Sequence, residues 1–159
     1  MKKVKYSYQR DEYSCGPTAL LNIMRWAGQK ITKKYLMKKC GGRKRVSKIG
    51  TDVCIFNNLL LDLPGIIVPM IGYKVPLKYL DQHLARGGIV AASYMDDECG
   101  HYALIVGRTK KFYLVANALE NCAVSRISRK HMRWLLDGEN FVLGVHTRSV
   151  QWFILKKEK

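Results

Sequence analysis

The chain is short of acids, of prolines and of long apolar runs. Twelve aspartates and glutamates stand against 28 lysines and arginines, and there are four prolines in 159 residues. The most apolar stretch, VCIFNNLLLDLPGIIVPMIGY, is broken by Asn57, Asn58, Asp62, Pro64 and Pro69, so no segment reaches the roughly 20 apolar residues that span a bilayer. The start, MKKVKYSYQRDEYS, is positively charged but has no apolar run behind it, so export by a signal peptide is not expected. Cysteine is present five times, at 15, 40, 54, 99 and 122, without a close C-x-x-C pair. An odd number in that pattern fits a reducing, cytoplasmic compartment better than a disulfide framework. Zinc on Cys99, His101 and Cys122 would need a wider spacing than structural sites use, and no metal or organic cofactor is expected.

What is present suits one globular domain over residues 1–159. Apolar residues make up 48%, enough for one packed core, and 17 glycines and prolines are too few for a low-complexity chain. The net charge of +16 is uneven: +12 over residues 1–50, −3 over 51–107 and +7 over 108–159. Two basic flanks around a slightly acidic middle attract polyanions, so nucleic acid or an acidic partner is one class of partner to consider. Solubility alone is the simpler explanation, because no nucleic-acid reading motif accompanies the charge.

Helix signals dominate the first 65 residues. KVKYSY alternates like a half-buried strand, and then Gly16-Pro17 opens TALLNIMRWAG, with Pro17 suited to the first helical position and Gly28 to the stop. Thr32 can cap KKYLMKK, which ends at Gly41-Gly42, and Thr51 can cap DVCIFNNLLLDL. Beyond residue 65 the pattern shortens to strand-like runs: IIVPMI, IVAASY, HYALIVG, FYLVANA, CAVSRI, FVLGV and VQWFIL. Two helices interrupt them, PLKYLDQHLA and a Ser128-capped RKHMRWLLDG. Helices first and an antiparallel sheet second make the class α+β.

Chemistry concentrates at four positions. Cys15 sits at the mouth of the first long helix, where unpaired N–H groups favour a thiolate; the alternative is a cysteine that fills space. His83 and His131 fall within helices, and His146 follows a strand with no orienting partner in view. His101 opens HYALIVG, and a hairpin centred on residue 109 would set it opposite Asn117, whose amide could orient the ring. A surface histidine beside a turn asparagine explains the same residues equally well. Gln9, six residues before Cys15, could fold back and donate to an oxyanion, or be a solvated loop residue.

These stretches, Gln9 followed by Cys15-Gly16-Pro17-Thr18-Ala19-Leu20, then Gly28-Gln29, and later Gly100-His101 before a hairpin that ends in Asn117, resemble the papain-like cysteine peptidases of the bacteriocin-processing, double-glycine type, the C39-like family. The likeness covers about residues 6–146, and GTDVCIFNNLL is similar to that family's third-helix opening. It implies a papain-like α+β fold with N-terminal helices packed on a C-terminal antiparallel sheet. It also implies a peptide or protein substrate cut after small residues such as Gly-Gly, with Cys15 as nucleophile, His101 as base and acid, Asn117 as orienter and Gln9 in the oxyanion hole. Two departures matter. Many members carry Asp-Pro where this chain has Asn117-Ala118, and asparagine brings no charge to an imidazolium. The membrane and nucleotide-binding domains of the transporter-linked members have no counterpart in these residues, which implies a free-standing version. The rival readings are an inactive fold that binds nucleic acid or an acidic partner through its basic flanks, and an acyltransferase in which an amine resolves the same thioester. Gly41-Gly42 and Gly87-Gly88 fit helix stops better than cleavage sites. The acids Asp96, Asp97 and Glu98 read as a solvated loop.

Overall fold

The computed structural model describes residues 4–62, 66–73, 75–96, 99–119, 122–137 and 141–147. Among them the elements run α1 (Cys15–Trp26), α2 (Lys33–Lys39), α3 (Arg43–Ile49), α4 (Val53–Asp62), β1 (Ile66–Tyr73), α5 (Leu77–Ala85), β2 (Ile89–Asp96), β3 (Cys99–Arg108), β4 (Phe112–Leu119), β5 (Cys122–Ser128), α6 (Arg129–Asp137) and β6 (Phe141–Thr147). The six strands form one sheet in the order β1-β6-β2-β3-β4-β5, and every neighbouring pair is antiparallel. The class is α+β, with a meander from β2 to β5 that the last strand extends on its other side.

Alternation along the strands divides the interior into two layers. On one face Ile89, Ala91, Tyr102, Leu104 and Ala116 pack against α1 through Ala19, Leu20, Ile23 and Met24, with Leu36, Val46, Phe56 and Leu60 behind. On the other face Val90, Ala92, Ala103, Ile105, Tyr113 and Val115 meet Leu80 of α5 and Met132, Leu135 and Leu136 of α6. A sheet covered on both faces explains why its central strands read as continuous apolar runs. Helix α1 is buried along most of its length, from Cys15 to Met24. Cutting a fully buried residue such as Leu20 to alanine therefore costs on the order of 2–5 kcal/mol.

The helix boundaries depart from the sequence pattern in places. Thr32 caps α2 by accepting from Tyr35 N at 3.2 Å, and Ser128 accepts from His131 N at 3.1 Å. The α4 cap is Asp52, not Thr51: its carboxylate accepts from Cys54 N at 2.8 Å and Ile55 N at 3.2 Å. A carboxylate one residue nearer the helix is the stronger acceptor, and the positive helix end favours it. Thr51 instead packs beside Gly16, where an added β-carbon would lie 2.5 Å from the Thr51 β-carbon. Helix α1 starts at Cys15, so Pro17 is its third residue and not its first. The segment RKRVSKI, which carries no sequence cap, forms α3 after Gly42.

Residues 4–8 form no strand. They are held by a side chain of α1, with Ser7 N donating to Asn22 Oδ1 at 2.7 Å and Asn22 Nδ2 returning a bond to the Ser7 carbonyl at 2.8 Å. A buried carboxamide supplies the pairing that a sheet edge would have given. The predicted strand VQWFIL and the acids Asp97 and Glu98 lie outside the described residues.

The β3–β4 hairpin corrects the predicted register. Thr109 N donates to the Phe112 carbonyl at 2.7 Å, so the turn is Lys110-Lys111 and not centred on residue 109. Arg108 pairs with Tyr113 and Gly107 with Leu114, then a bulge intervenes, and Ile105 pairs with Val115 and Leu104 with Ala116. Continued by one residue, this register brings Asn117 level with Ala103 rather than with His101. Without the bulge Asn117 would fall level with Leu104, which shifts its parity relative to His101. The regular pairing ends at Ala116, and residues 101 and 117 meet through the Asn117 main chain rather than as facing side chains.

Candidate active site

The site begins where α1 does. Asp11 accepts from Ser14 N at 2.7 Å and from Tyr13 N at 3.3 Å, which folds the loop ahead of the helix. Lys33 reaches from α2 to donate to Ser14 Oγ at 2.7 Å. These bonds fix Cys15 as the first helical residue, 6% exposed, with the unpaired N–H groups of the helix start around it. Burial pushes the Cys15 thiol above its ordinary value, and the Asp11 charge adds to this. The main-chain N–H groups of Tyr102, Gly16 and Cys15 itself act the other way, favouring the thiolate, but burial outweighs them. The contact with Tyr102 is informative about position, because the Tyr102 nitrogen is bonded to the carbonyl carbon of His101. The thiol therefore lies against the main chain of β3 at the junction of residues 101 and 102.

His101 is half-buried near the start of β3. Its Nε2 lies 2.6 Å from the main-chain carbonyl of Asn117. A carbonyl only accepts, so Nε2 carries the proton and the lone pair of the neutral ring is on Nδ1. Residue 117 thus meets the ring through its main chain, not through the carboxamide on which the hairpin argument relied. The carboxamide is engaged elsewhere: Oδ1 accepts from Gln9 N at 2.7 Å, and Nδ2 donates to Gln9 Oε1 at 3.3 Å and to the Tyr102 carbonyl at 3.2 Å. Asn117 is 1% exposed and has φ 62°, a left-handed conformation that asparagine adopts more readily than other residues bearing a β-carbon. That one twist turns its carbonyl toward His101 while its side chain clasps the N-terminal loop.

Gln9, 7% exposed, is therefore a buried residue held by Asn117 and not a solvated one. With Oε1 accepting from Asn117, its remaining hydrogen-bonding group is the Nε2 amide, a donor. The structure joins Gln9, His101 and Asn117 in one bonded chain, and brings Cys15 to the residue after His101. The other histidines stand apart. His83 is buried with Nε2 at 3.0 Å from the Ile89 carbonyl, His131 stacks on Trp134 with ring centres 5.5 Å apart, and His146 is on β6 opposite Ile67. Among the described residues no group of three histidine, cysteine or acidic side chains is placed to hold a metal.

Tyr102 is the participant that the sequence pattern did not reveal. Its ring stacks on Phe56 of α4 with centres 4.2 Å apart and planes 14° from parallel, which locks the strand against the helical layer behind Cys15. Its main chain contributes the N–H beside the thiol and the carbonyl that receives Asn117. Backbone roles leave no trace in residue type, and an aromatic in an apolar strand reads only as core.

The opposite side of the sheet has an open cleft of about 530 Å³ between α5 and α6. Its polar lining is Lys78, Asp81, Arg129 and Arg133, with no cysteine, serine or histidine among the residues that line it.

The chain matches no family model and no curated protein. Solved structures do share its fold. The peptidase domain of Streptococcus ComA, a bifunctional ABC transporter of a quorum-sensing pathway, superposes with a TM-score of 0.70 at 16% identity, covering 89% of this chain and 98% of that one. A Bacillus anthracis protein described as C39-like gives 0.69 at 12% identity over 91% and 95%. A double-glycine-motif protease from an AMS/PCAT transporter, solved with its leader peptide, gives 0.64 at 12% over 91% and 93%. At these identities the likeness establishes the fold, that of the C39 peptidase domains.

Proposed function

We propose that this protein is a cysteine peptidase that cleaves a peptide bond through a thioester on Cys15. The observation that carries the reading is the bonded chain from Gln9 through Asn117 to the His101 ring, with the Cys15 thiol against the next residue of the same strand. Each group has a role that its chemistry permits. His101, with Nε2–H fixed on the Asn117 carbonyl, offers Nδ1 as the base that removes the Cys15 proton. The thiolate attacks the scissile carbonyl, and the oxyanion is held by the Cys15 N–H and by Gln9 Nε2. The imidazolium returns its proton to the leaving amine, which departs and leaves the thioester. Water, deprotonated by His101, then attacks the thioester, releasing the acid and restoring the thiol.

Burial holds the Cys15 thiol above its ordinary value despite the main-chain N–H groups around it, so the helix start alone does not supply the nucleophile and the reading assigns that task to His101. The fold neighbours, one of them a double-glycine protease with a leader peptide bound, favour a peptide with small residues before the scissile bond. The test is a peptide containing Gly-Gly, incubated with wild-type protein and with Cys15→Ala. Cleavage by the first alone, with a thioester-linked fragment trapped on Cys15 at low pH, supports the reading. Cleavage that survives Cys15→Ala contradicts it.

A further inference from the structure

We infer that the outward faces of α2 and α3 form a docking surface for an acidic segment of the peptide substrate, an inference that rests on the peptidase reading of Cys15. Between Arg25 and Lys48 the sequence has ten lysines and arginines and no acid. The two short helices bury one residue each, Leu36 in α2 and Val46 in α3, both 0% exposed. Lys34 and Lys38 lie two residues to either side of Leu36, and Lys44 and Lys48 two residues to either side of Val46. At about 100° per residue each lysine points roughly 160° away from the buried position, and the members of each pair, four apart, share a face. All four are exposed.

The same surface runs up to the nucleophile. Lys33 donates to Ser14 Oγ, one residue before Cys15, and Arg43 Nε donates to the Tyr13 hydroxyl at 3.3 Å. The acids at its rim are Asp11, Glu12 and Asp52. Asp11 is occupied by two main-chain N–H groups and lies 4.0 Å from Lys33, and Asp52 caps α4. A run of positive charge that starts at the catalytic loop and extends outward matches a peptide whose scissile bond lies at Cys15 and whose flanking residues are glutamate or aspartate. A membrane fits less well, because Leu36 and Val46 are consumed in the core and each helix leaves one large apolar residue exposed, Tyr35 at 47% and Ile49 at 61%, too little for an apolar face.

The test uses Cys15→Ala protein, which binds without turnover, and two fluorescein-labelled peptides with a central Gly-Gly: one flanked by four glutamates, the other with glutamine in their place. Anisotropy is read at about 50 mM and about 300 mM salt, with K34E/K38E/K44E/K48E as the altered surface and the pair K38E/K48E as a milder version should the fourfold change impair folding. The glutamate peptide is expected to bind about tenfold or more tightly than the glutamine peptide, with the gap narrowing in salt and closing in the reversed surface. With Cys15 restored, the reversed surface should keep wild-type labelling of that thiol by iodoacetamide. Equal binding of the two peptides overturns the inference, as does binding of a single-stranded oligonucleotide or a phosphatidylglycerol vesicle to this face without binding of the glutamate peptide. Loss of His101-dependent labelling in the unaltered protein would instead remove the peptidase reading itself.

Discussion

His101 donates through Nε2 to the main-chain carbonyl of Asn117 at 2.6 Å, while the Asn117 side chain turns away to bind Gln9 and Tyr102. The ring is oriented by a backbone atom whose direction depends on a left-handed residue, and the carboxamide serves as the clasp of the N-terminal loop. Replacement by glycine keeps the carbonyl and tolerates the positive φ, whereas valine, branched at Cβ, does not. Asn117→Gly should therefore lose activity moderately, about tenfold in kcat through a looser Gln9, and Asn117→Val should lose considerably more. Steady-state kinetics of both variants, with a check on folding by circular dichroism, read the difference. Equal losses would show that the side chain and not the carbonyl orients the ring.

Gly16 has a steric reason for lacking a side chain. An added β-carbon would lie 2.5 Å from the Thr51 β-carbon and closer still to its hydroxyl oxygen, so Gly16→Ala must push the start of α1 away from the loop before α4. Overpacking of this kind typically costs about 1–3 kcal/mol. Urea unfolding should show that loss, and adding Thr51→Gly should recover part of it. An unchanged midpoint in the single variant would mean that the two segments separate freely.

Asp81 on α5 ties the far side of the sheet together. It accepts from Arg129 at 3.0 and 2.5 Å and from the Tyr113 hydroxyl at 2.8 Å, with Arg108 Nε at 3.7 Å. Burial works to raise its carboxyl, but the bonds from Arg129 and Tyr113 and the charges of Arg129 and Arg108 outweigh it and hold the pKa below the usual carboxylate range. A depressed folded value means stability that is present above the unfolded pKa, near 4, and is lost as pH falls through the folded value. Asp81→Asn should thus lower stability by about 1–2 kcal/mol at neutral pH, discounted because the carboxylate is partly exposed. The gap from wild type should shrink below about pH 4. A gap that does not change with pH would mean that the carboxylate charge contributes nothing.

The sequence made the helical first half and the meander visible because burial imposes different periods on helix and strand. Leu20, Ile23 and Met24 recur at helical spacing, and the β2–β4 runs are apolar on both faces because helices cover both. The four candidate residues were legible only as types in an order. Cys15 before Gly-Pro and His101 before an apolar strand mark a helix mouth and a sheet edge, but not the distance between them. The register was not legible because the one hint of the bulge, Gly107 beside Val106, reads equally well as the end of the strand before the turn. The loop strand was missed because Asn22 reads as an ordinary helical residue until its carboxamide is seen closing on Ser7. Tyr102 acts through its main chain, which residue identity does not encode.

The central claim is that the Cys15 thiol is ionised by His101 and not by its own surroundings, and the labelling rate of Cys15 by iodoacetamide against pH tests it most directly. Burial, with the Asp11 charge, raises this thiol, so without the ring the thiolate should appear only at alkaline pH. Labelling mapped by mass should therefore persist through neutral and mildly acid pH in the wild type, ahead of Cys54 and Cys122. In His101→Ala it should move to alkaline pH, above the range of an ordinary thiol. A Cys15 profile identical in the two proteins would contradict the account.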